Sequence, residues 1–345
     1  TGEVTVERCV PKSNRAFRYI SSLVNTTGTI NDNLQEGVHN TSQSYADNNN
    51  PNPGYGTHIT GSQDGSNGFD ATSTGNKSMY EWDEATQQWN GITSTNQAAD
   101  KMSVGEAYAL MVRGDRSTTL NSNTAVGDKT ILRFTGTPAT GDQTVSTFAA
   151  DQEYNLVANP YQAIVDVKSL LQGSDASDLN DKNIYIYDPN LGTRGGYATI
   201  DLSTSPASST PEADSLSGGY TDANQFILPN QAFFVETTGA SPDLTFKETY
   251  KETSENLVDT FSDDNILSEM HINLKRQPED VLVDGVTARF DPDHTNAVNN
   301  SDADEIWNFD EWVALFNSNT YLSIEKRAMP VENDIIQIYT GNYQS

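Results

Sequence analysis

Residues 290–305, FDPDHTNAVNNSDADE, carry the side chains best spaced for chemistry. Counting from Asp291, oxygen-bearing side chains fall at loop positions one, three, five, nine and twelve: Asp291, Asp293, Thr295, Asn299 and Asp302. Calcium takes about six to eight hard oxygen ligands at about 2.3–2.6 Å, and a tight loop of alternating Asp and Asn supplies them. Two departures separate this loop from an EF-hand: Asn296 stands where the turn glycine belongs, and Asp302 replaces the bidentate glutamate. No convincing helices flank it, so two readings stand side by side, a calcium loop of another kind and a solvated acidic loop. A second cation loop is QDGSNGFD, where Asp64, Ser66, Asn67 and Asp70 surround glycines that would let oxygens converge. An ordinary glycine-rich turn is the alternative there.

Aromatic residues offer a different chemistry, since exposed rings on a β face stack on the apolar C–H faces of sugars. Trp82 and Trp89 fall on opposite strands of a hairpin in SMYEWDEATQQWNGI, and Tyr185, Tyr187 and Tyr197 fall on a second hairpin in NIYIYDPNLGTRGGYATI. With Tyr55 and His58 of the long loop 40–78, Trp82 and Trp89 form the candidate ligand set. Cross-strand aromatic pairs also stabilise sheets, which makes a core role the simpler account of the hairpin rings. Catalytic patterns are missing: there is no GxSxG elbow, HExxH helix, P-loop or GxGxxG. Cys9, the single cysteine, lies in an alternating TVERCVP stretch with no histidine beside it by any pattern, so it reads as an inert strand residue. The chain is therefore expected not to be an enzyme.

Bulk properties narrow the classes. With 48 Asp+Glu against 20 Lys+Arg, the formal charge of −28 repels nucleic acid and anionic lipid, and nucleic-acid binding is excluded. No apolar run approaches the roughly 18–20 residues of a transmembrane helix. Hydrophobic residues make up only 35%, yet 15 Tyr, 12 Phe and 4 Trp argue against disorder. The opening TGEVTVERCV has neither an initiator Met nor a signal-peptide pattern, so the chain is expected to be a mature or excised segment.

The elements that must position these residues are strands. Only AIVDVKSLLQG (163–173) is spaced like a short helix, and DADEIWNFDEW is ambiguous; elsewhere alternating runs of about 5–8 residues lie between Gly, Asn, Asp, Ser and Pro clusters. Four of these elements recur in order. The first copy (about 17–142) has FRYISSLV, the first hairpin, GEAYALMVRG and TILRFTGT; the second (154–250) has YNLVANPY, the second hairpin, NQAFFVETTG and LTFKETY. Such order implies an internal duplication. Each copy carries a long polar insertion, 40–78 in the first and 203–219 in the second, the first expected to be ordered and the second a flexible flap. Residues 1–255 are thus expected to form one β-rich domain of two repeats, and 256–345 a second β-sandwich unit that ends open-edged. The fold class is all-β, built of β-sandwich-type units.

The blocks NPNPGYGTHITG, NGFDATSTGNKSMYEWD, LMVRGDRS, YNLVANPYQ, ILPNQAFFV and YLSIEKRAMPVENDIIQIY together resemble large surface proteins of the phylum Bacteroidota, the flavobacterial proteins exported by type IX secretion. The likeness covers nearly the whole chain, and its last part is similar to the β domain that precedes the C-terminal sorting domain. The sorting domain itself is not in the sequence. The resemblance implies a secreted, outer-membrane-surface location and the type IX machinery as a partner. It also makes an integrin reading of Arg113-Gly114-Asp115 a poor one, and Asp214-Ser215-Leu216 resembles an acceptor of Bacteroidota O-glycosylation. The expected function is a non-catalytic structural or adhesion module, calcium-stabilised if the acidic loops bind metal, with glycans or other surface proteins as partners. Its alternative is a carbohydrate-binding module, and behind that a glycan-active enzyme, which needs a cleft with two opposed carboxylates and a raised pKa.

Overall fold

The structure is a computed structural model of the chain, and it describes residues 2–12, 15–43, 49–120, 128–192, 194–211, 221, 223–252, 268–278, 281–331 and 333–342. It is nearly all β, with multiple sheets. Alternation drives this: in Thr130–Thr137, Thr130, Leu132, Phe134 and Gly136 turn inward while Ile131, Arg133 and Thr135 turn toward the surface. The helix expected within 163–173 forms over Val167–Leu171, and the Asp166 carboxylate caps it by accepting the N–H groups of Lys168 and Ser169. A second helix, Ile30–Leu34, was not expected. Thr29 and Asp32 close a reciprocal capping box at its start. Among the described residues no helix is long and apolar enough to cross a membrane.

The chain divides into two compact units, Thr1–Leu179 with Ile227–Glu252, and Asn180–Phe226 with Thr253–Ser345. In the first, strands Ala16–Ser21, Ala107–Val112, Met79–Asp83 and Gln88–Gly91 form a sheet in that order, and Val4–Val10, Thr130–Thr137 and Asn25–Thr26 form another. Their inner faces share one core that includes Ile20, Leu110, Met79, Val10, Leu132 and Phe134, the arrangement of a β-sandwich.

Strand pairing follows a similar plan in the two expected copies. Tyr154–Ala158 pairs antiparallel with Ala232–Glu236 as Ala16–Ser21 pairs with Ala107–Val112. The second hairpin, Asn183–Asp188 with Gly196–Asp201, zips as the first does. Asp243–Phe246 is flanked by Gln143–Thr144 and Ala176–Ser177, as Thr130–Thr137 is flanked by Val4–Val10 and Asn25–Thr26. Each copy also has one short helix after its first strand, Ile30–Leu34 and Val167–Leu171.

The division of the chain differs from the boundary expected near residue 255, because the second hairpin groups with the C-terminal strands. Buried polar pairs explain it. Asp201 forms ion pairs with Arg289 and Lys326, Thr199 and Ser323 hydroxyls lie 2.9 Å apart, and the Gly192 N–H donates to the Leu282 carbonyl at 2.9 Å. Burial raises the Asp201 carboxyl, but Lys326 and Arg289 outweigh it and hold the group below the usual range. The main sheet of this unit runs Ser268–Arg276, Val281–Phe290, Thr320–Arg327, Trp312–Asn317 and Gln337–Gly341, with Ala303–Asp304 also paired to Thr320–Arg327. Its apolar face packs Val286, Ala288, Phe290, Val313, Leu315 and Leu322.

Candidate functional site

The expected calcium loop folds as a chain of side-chain-to-backbone turns. Asp291 Oδ1 accepts the Asp293 N–H at 2.8 Å, Thr295 Oγ1 accepts that of Ala297, and Asn299 Oδ1 accepts that of Ser301 at 3.0 Å. Asp302 is buried, and its two oxygens accept the backbone N–H groups of Lys326 and Asn299, both at 2.7 Å. Short polar side chains that satisfy their own backbone are common turn formers. The described residues contain no group of three or more His, Cys, Asp or Glu side chains that could hold a metal ion.

The second expected cation pair separates. Asp64 is exposed and accepts the Ser66 N–H at 3.0 Å, whereas Asp70 is wholly buried. The Asp70 carboxylate takes a bidentate contact from Arg116, at 3.0 and 2.8 Å, and the N–H groups of Asn40 and Ile59 at 2.8 and 3.1 Å. His58 is equally buried, its Nδ1 3.1 Å from Asp70 Oδ2. Burial alone would raise this carboxyl, but His58 and Arg116 win and hold it well below the ordinary carboxylate range. Asp70 and His58 are therefore the buried polar clamp of the 40–78 loop, not ligands at a surface. Among the described residues of that loop, Thr60–Ser62 runs parallel to Asp70–Ala71.

The aromatic candidates also lie largely inside. Trp82 and Trp89 sit edge to face with centroids 5.2 Å apart, and Phe234 of the second copy packs on both, at 5.0 and 6.0 Å. Trp82 Nε1 donates to the Tyr154 carbonyl at 2.9 Å. These half-buried rings hold the two copies together, so the core account fits them better than a sugar platform. The half-buried Tyr55 ring has the Arg133 guanidinium stacked 4.4 Å from its centroid. Arg113 and Asp115 are buried, and Asp115 accepts the N–H groups of Gly54 and Ser117, so that tripeptide is not presented. Cys9 is exposed on strand Val4–Val10, and Asp214-Ser215-Leu216 lies outside the described residues.

A surface that the sequence reading passed over lies on the second unit. In WVALF, Val313 and Leu315 point into the core, which turns Trp312, Ala314 and Phe316 to the other face. Tyr321 pairs with Phe316, and Tyr339 pairs with Ala314. The rings close over Ala314: Phe316 lies 4.8 Å from Tyr321 and 5.0 Å from Tyr339, while Trp307 reaches Trp312 at 4.7 Å and Tyr321 at 5.0 Å. Even so, Trp307 is 46% exposed, Tyr339 44% and the neighbouring Phe309 51%.

Polar anchors fix the loop that carries Trp307 and Phe309. The Glu305 N–H donates to the Tyr321 carbonyl at 2.9 Å, and Asn342 Nδ2 donates to the carbonyls of Phe309 and Asp310 at 2.7 and 2.8 Å. Arg194 pairs with Asp310 at 3.4 Å, and Arg276 pairs with Glu311. Beneath lies Asp284, whose carboxylate accepts the Val313 and Gly285 N–H groups at 2.7 and 2.9 Å. Burial pushes its carboxyl up to about 7, against the pull of those donors. Burial, with the Asp284 charge beside it, also pushes the Glu305 carboxyl well above its ordinary value. The aromatic strip was readable in principle from the spacing Trp307, Trp312, Phe316, Tyr321 and Tyr339, but which sheet face meets solvent is a tertiary fact.

No curated protein matches the chain, and no solved structure does. The model of a family described as a domain of unknown function (DUF8693) matches residues 12–277, and the chain belongs to that family.

Proposed function

We propose that this chain is a non-catalytic adhesion module of a secreted cell-surface protein, and that it grips a glycan through the aromatic face of its second unit. The observation that carries the reading is the pair of half-exposed rings Trp307 and Tyr339, packed against Trp312, Phe316 and Tyr321, with Phe309 exposed on the same loop as Trp307. Exposed apolar patches on soluble domains mark interaction sites. Rings already locked against one another lose little freedom on binding, and they present faces that match the C–H faces of sugars. The surface location rests on the likeness to flavobacterial surface proteins. The strongly acidic charge of −28 fits a neutral glycan better than an anionic one.

Affinity electrophoresis through gels containing single polysaccharides tests this, run with calcium and then with EDTA. The expected result is saturable retardation by one neutral polysaccharide, weakened in Trp307→Ala and in Tyr339→Ala. Absence of retardation by every polysaccharide, or retardation untouched by Trp307→Ala, would overturn the assignment.

A further inference from the structure

A cleft of about 630 Å³ opens in the first unit, within the residues that the family model matches. Glu81, Trp82, Glu84, Lys101 and residues 103–108 of the first copy line it; the segment 143–147 and residues 155–158 of the second copy complete it. Its size falls within the range of about 300–1,000 Å³ typical of small-ligand sites. Strand register builds its chemistry. Glu81 is directly opposite Tyr108 in the antiparallel ladder, so the two side chains share a face. Glu106 stands two residues before Tyr108, on that same face, and accepts its hydroxyl hydrogen with 3.2 Å between oxygens. Glu106 also accepts the Ser103 N–H at 3.1 Å, which fixes the carboxylate at the cleft. Burial first, then the charges of Glu106 and Asp100, raise the Glu81 carboxyl above its ordinary value.

The rest of the lining alternates the amide and hydroxyl groups of Gln143, Thr144, Ser146 and Thr147 with apolar side chains such as Trp82, Leu156 and Phe246. Three glutamates against the single Lys101 disfavour phosphates, uronates and sulfated sugars. Carboxylates that accept hydrogen bonds beside hydroxyls and amides that both donate and accept match a polyol. We infer that this cleft is a second binding site, for a short non-acidic oligosaccharide, with Glu81 and Glu106 accepting hydrogen bonds from its hydroxyl groups. It lies in a different unit from the aromatic face and does not depend on that assignment. Of the residues that the sequence marked for ligand contact, Trp82 is the one that lines it.

Isothermal titration calorimetry of the full chain is the test, with cello-, xylo-, manno- and laminarihexaose as neutral probes and hexagalacturonate as the acidic one. One neutral hexaose is expected to bind. Glu106→Gln should weaken it about tenfold, the scale of losing a hydrogen bond to a charged group. Ser146→Trp, at an exposed position on the cleft lining, should block it while leaving the melting temperature unchanged. Trp307→Ala should leave this binding intact. Failure of every neutral hexaose to bind, preference for the galacturonate, or binding unchanged by both cleft variants would overturn the inference. Binding lost in Trp307→Ala but kept in Ser146→Trp would assign the ligand to the aromatic face and sink the cleft alone.

Discussion

Asp70 is held by four partners with complementary geometry: a bidentate guanidinium from Arg116, the ring of His58, and the N–H groups of Asn40 and Ile59. Gln35 Nε2 adds a contact at 3.2 Å. A buried charge is tolerable only when so paired, and removing one partner leaves the others stranded without water. Asp70→Asn is therefore expected to cost about 3–5 kcal/mol at pH 7, since the fully buried Arg116 would lose its charged partner. The pH dependence has a definite sign. The folded carboxyl lies below the unfolded value of about 3.9, so its contribution is complete above that pH and disappears as pH falls through the folded value. Urea unfolding of both proteins between pH 7 and pH 3 checks this: the gap between them should narrow only below about pH 4. A gap that stayed constant to pH 3 would mean that Asp70 acts through shape alone. The same residue shows where sequence reading stops. Its type and its glycine-rich setting pointed to oxygen chemistry, but the partners lie 12 and 46 positions away, at His58 and Arg116, and nothing local announces them.

Among the elements, the strands and the two hairpins were legible because alternation and turn residues are written locally. The short helix Ile30–Leu34 was missed because its five residues are too few for a 3.6-residue period to emerge, although the Thr29–Asp32 capping pair stood in the sequence. The side of the hairpin tryptophans that meets solvent was not legible, since it depends on Phe234, 145 positions from Trp89. On the aromatic strip the deciding position is a glycine. Gly341 pairs with Trp312, and a Cβ placed there would come within 2.5 Å of the indole ring, so the ring lies across bare backbone. Gly341→Val should push Trp312 off the strand and break its contacts with Trp307 and Tyr321. The expected readout is a changed near-ultraviolet circular dichroism band from the coupled tryptophans, with the far-ultraviolet β signal preserved. An unchanged near-ultraviolet band would mean that the strip repacks around the new side chain.

For the whole molecule, the excess of 48 acidic over 20 basic residues sets the response to solution conditions. Buried carboxylates such as Asp70 and Asp201 are matched by cations within the fold, whereas exposed ones such as Asp64 and Asp293 lie where salt can reach them. Like charges at that density oppose compaction, and the Debye length shrinks from about 30 Å at 0.01 M to about 10 Å at 0.1 M ionic strength. Melting temperature should accordingly rise with sodium chloride over this range, because exposed repulsions are screened while the buried pairs are screened far less. Calcium provides the sharper comparison. Both Asp302 oxygens accept backbone N–H groups and Asp70 is paired to Arg116, so the two loops that looked most like ligand sets have their central carboxylates engaged. At equal ionic strength, calcium chloride and sodium chloride should then raise the melting temperature equally. A further rise with calcium that vanishes in Asp291→Asn, Asp293→Asn would return the 291–302 loop to the rank of a metal site, and the acidity of the chain would read as a demand for that ion.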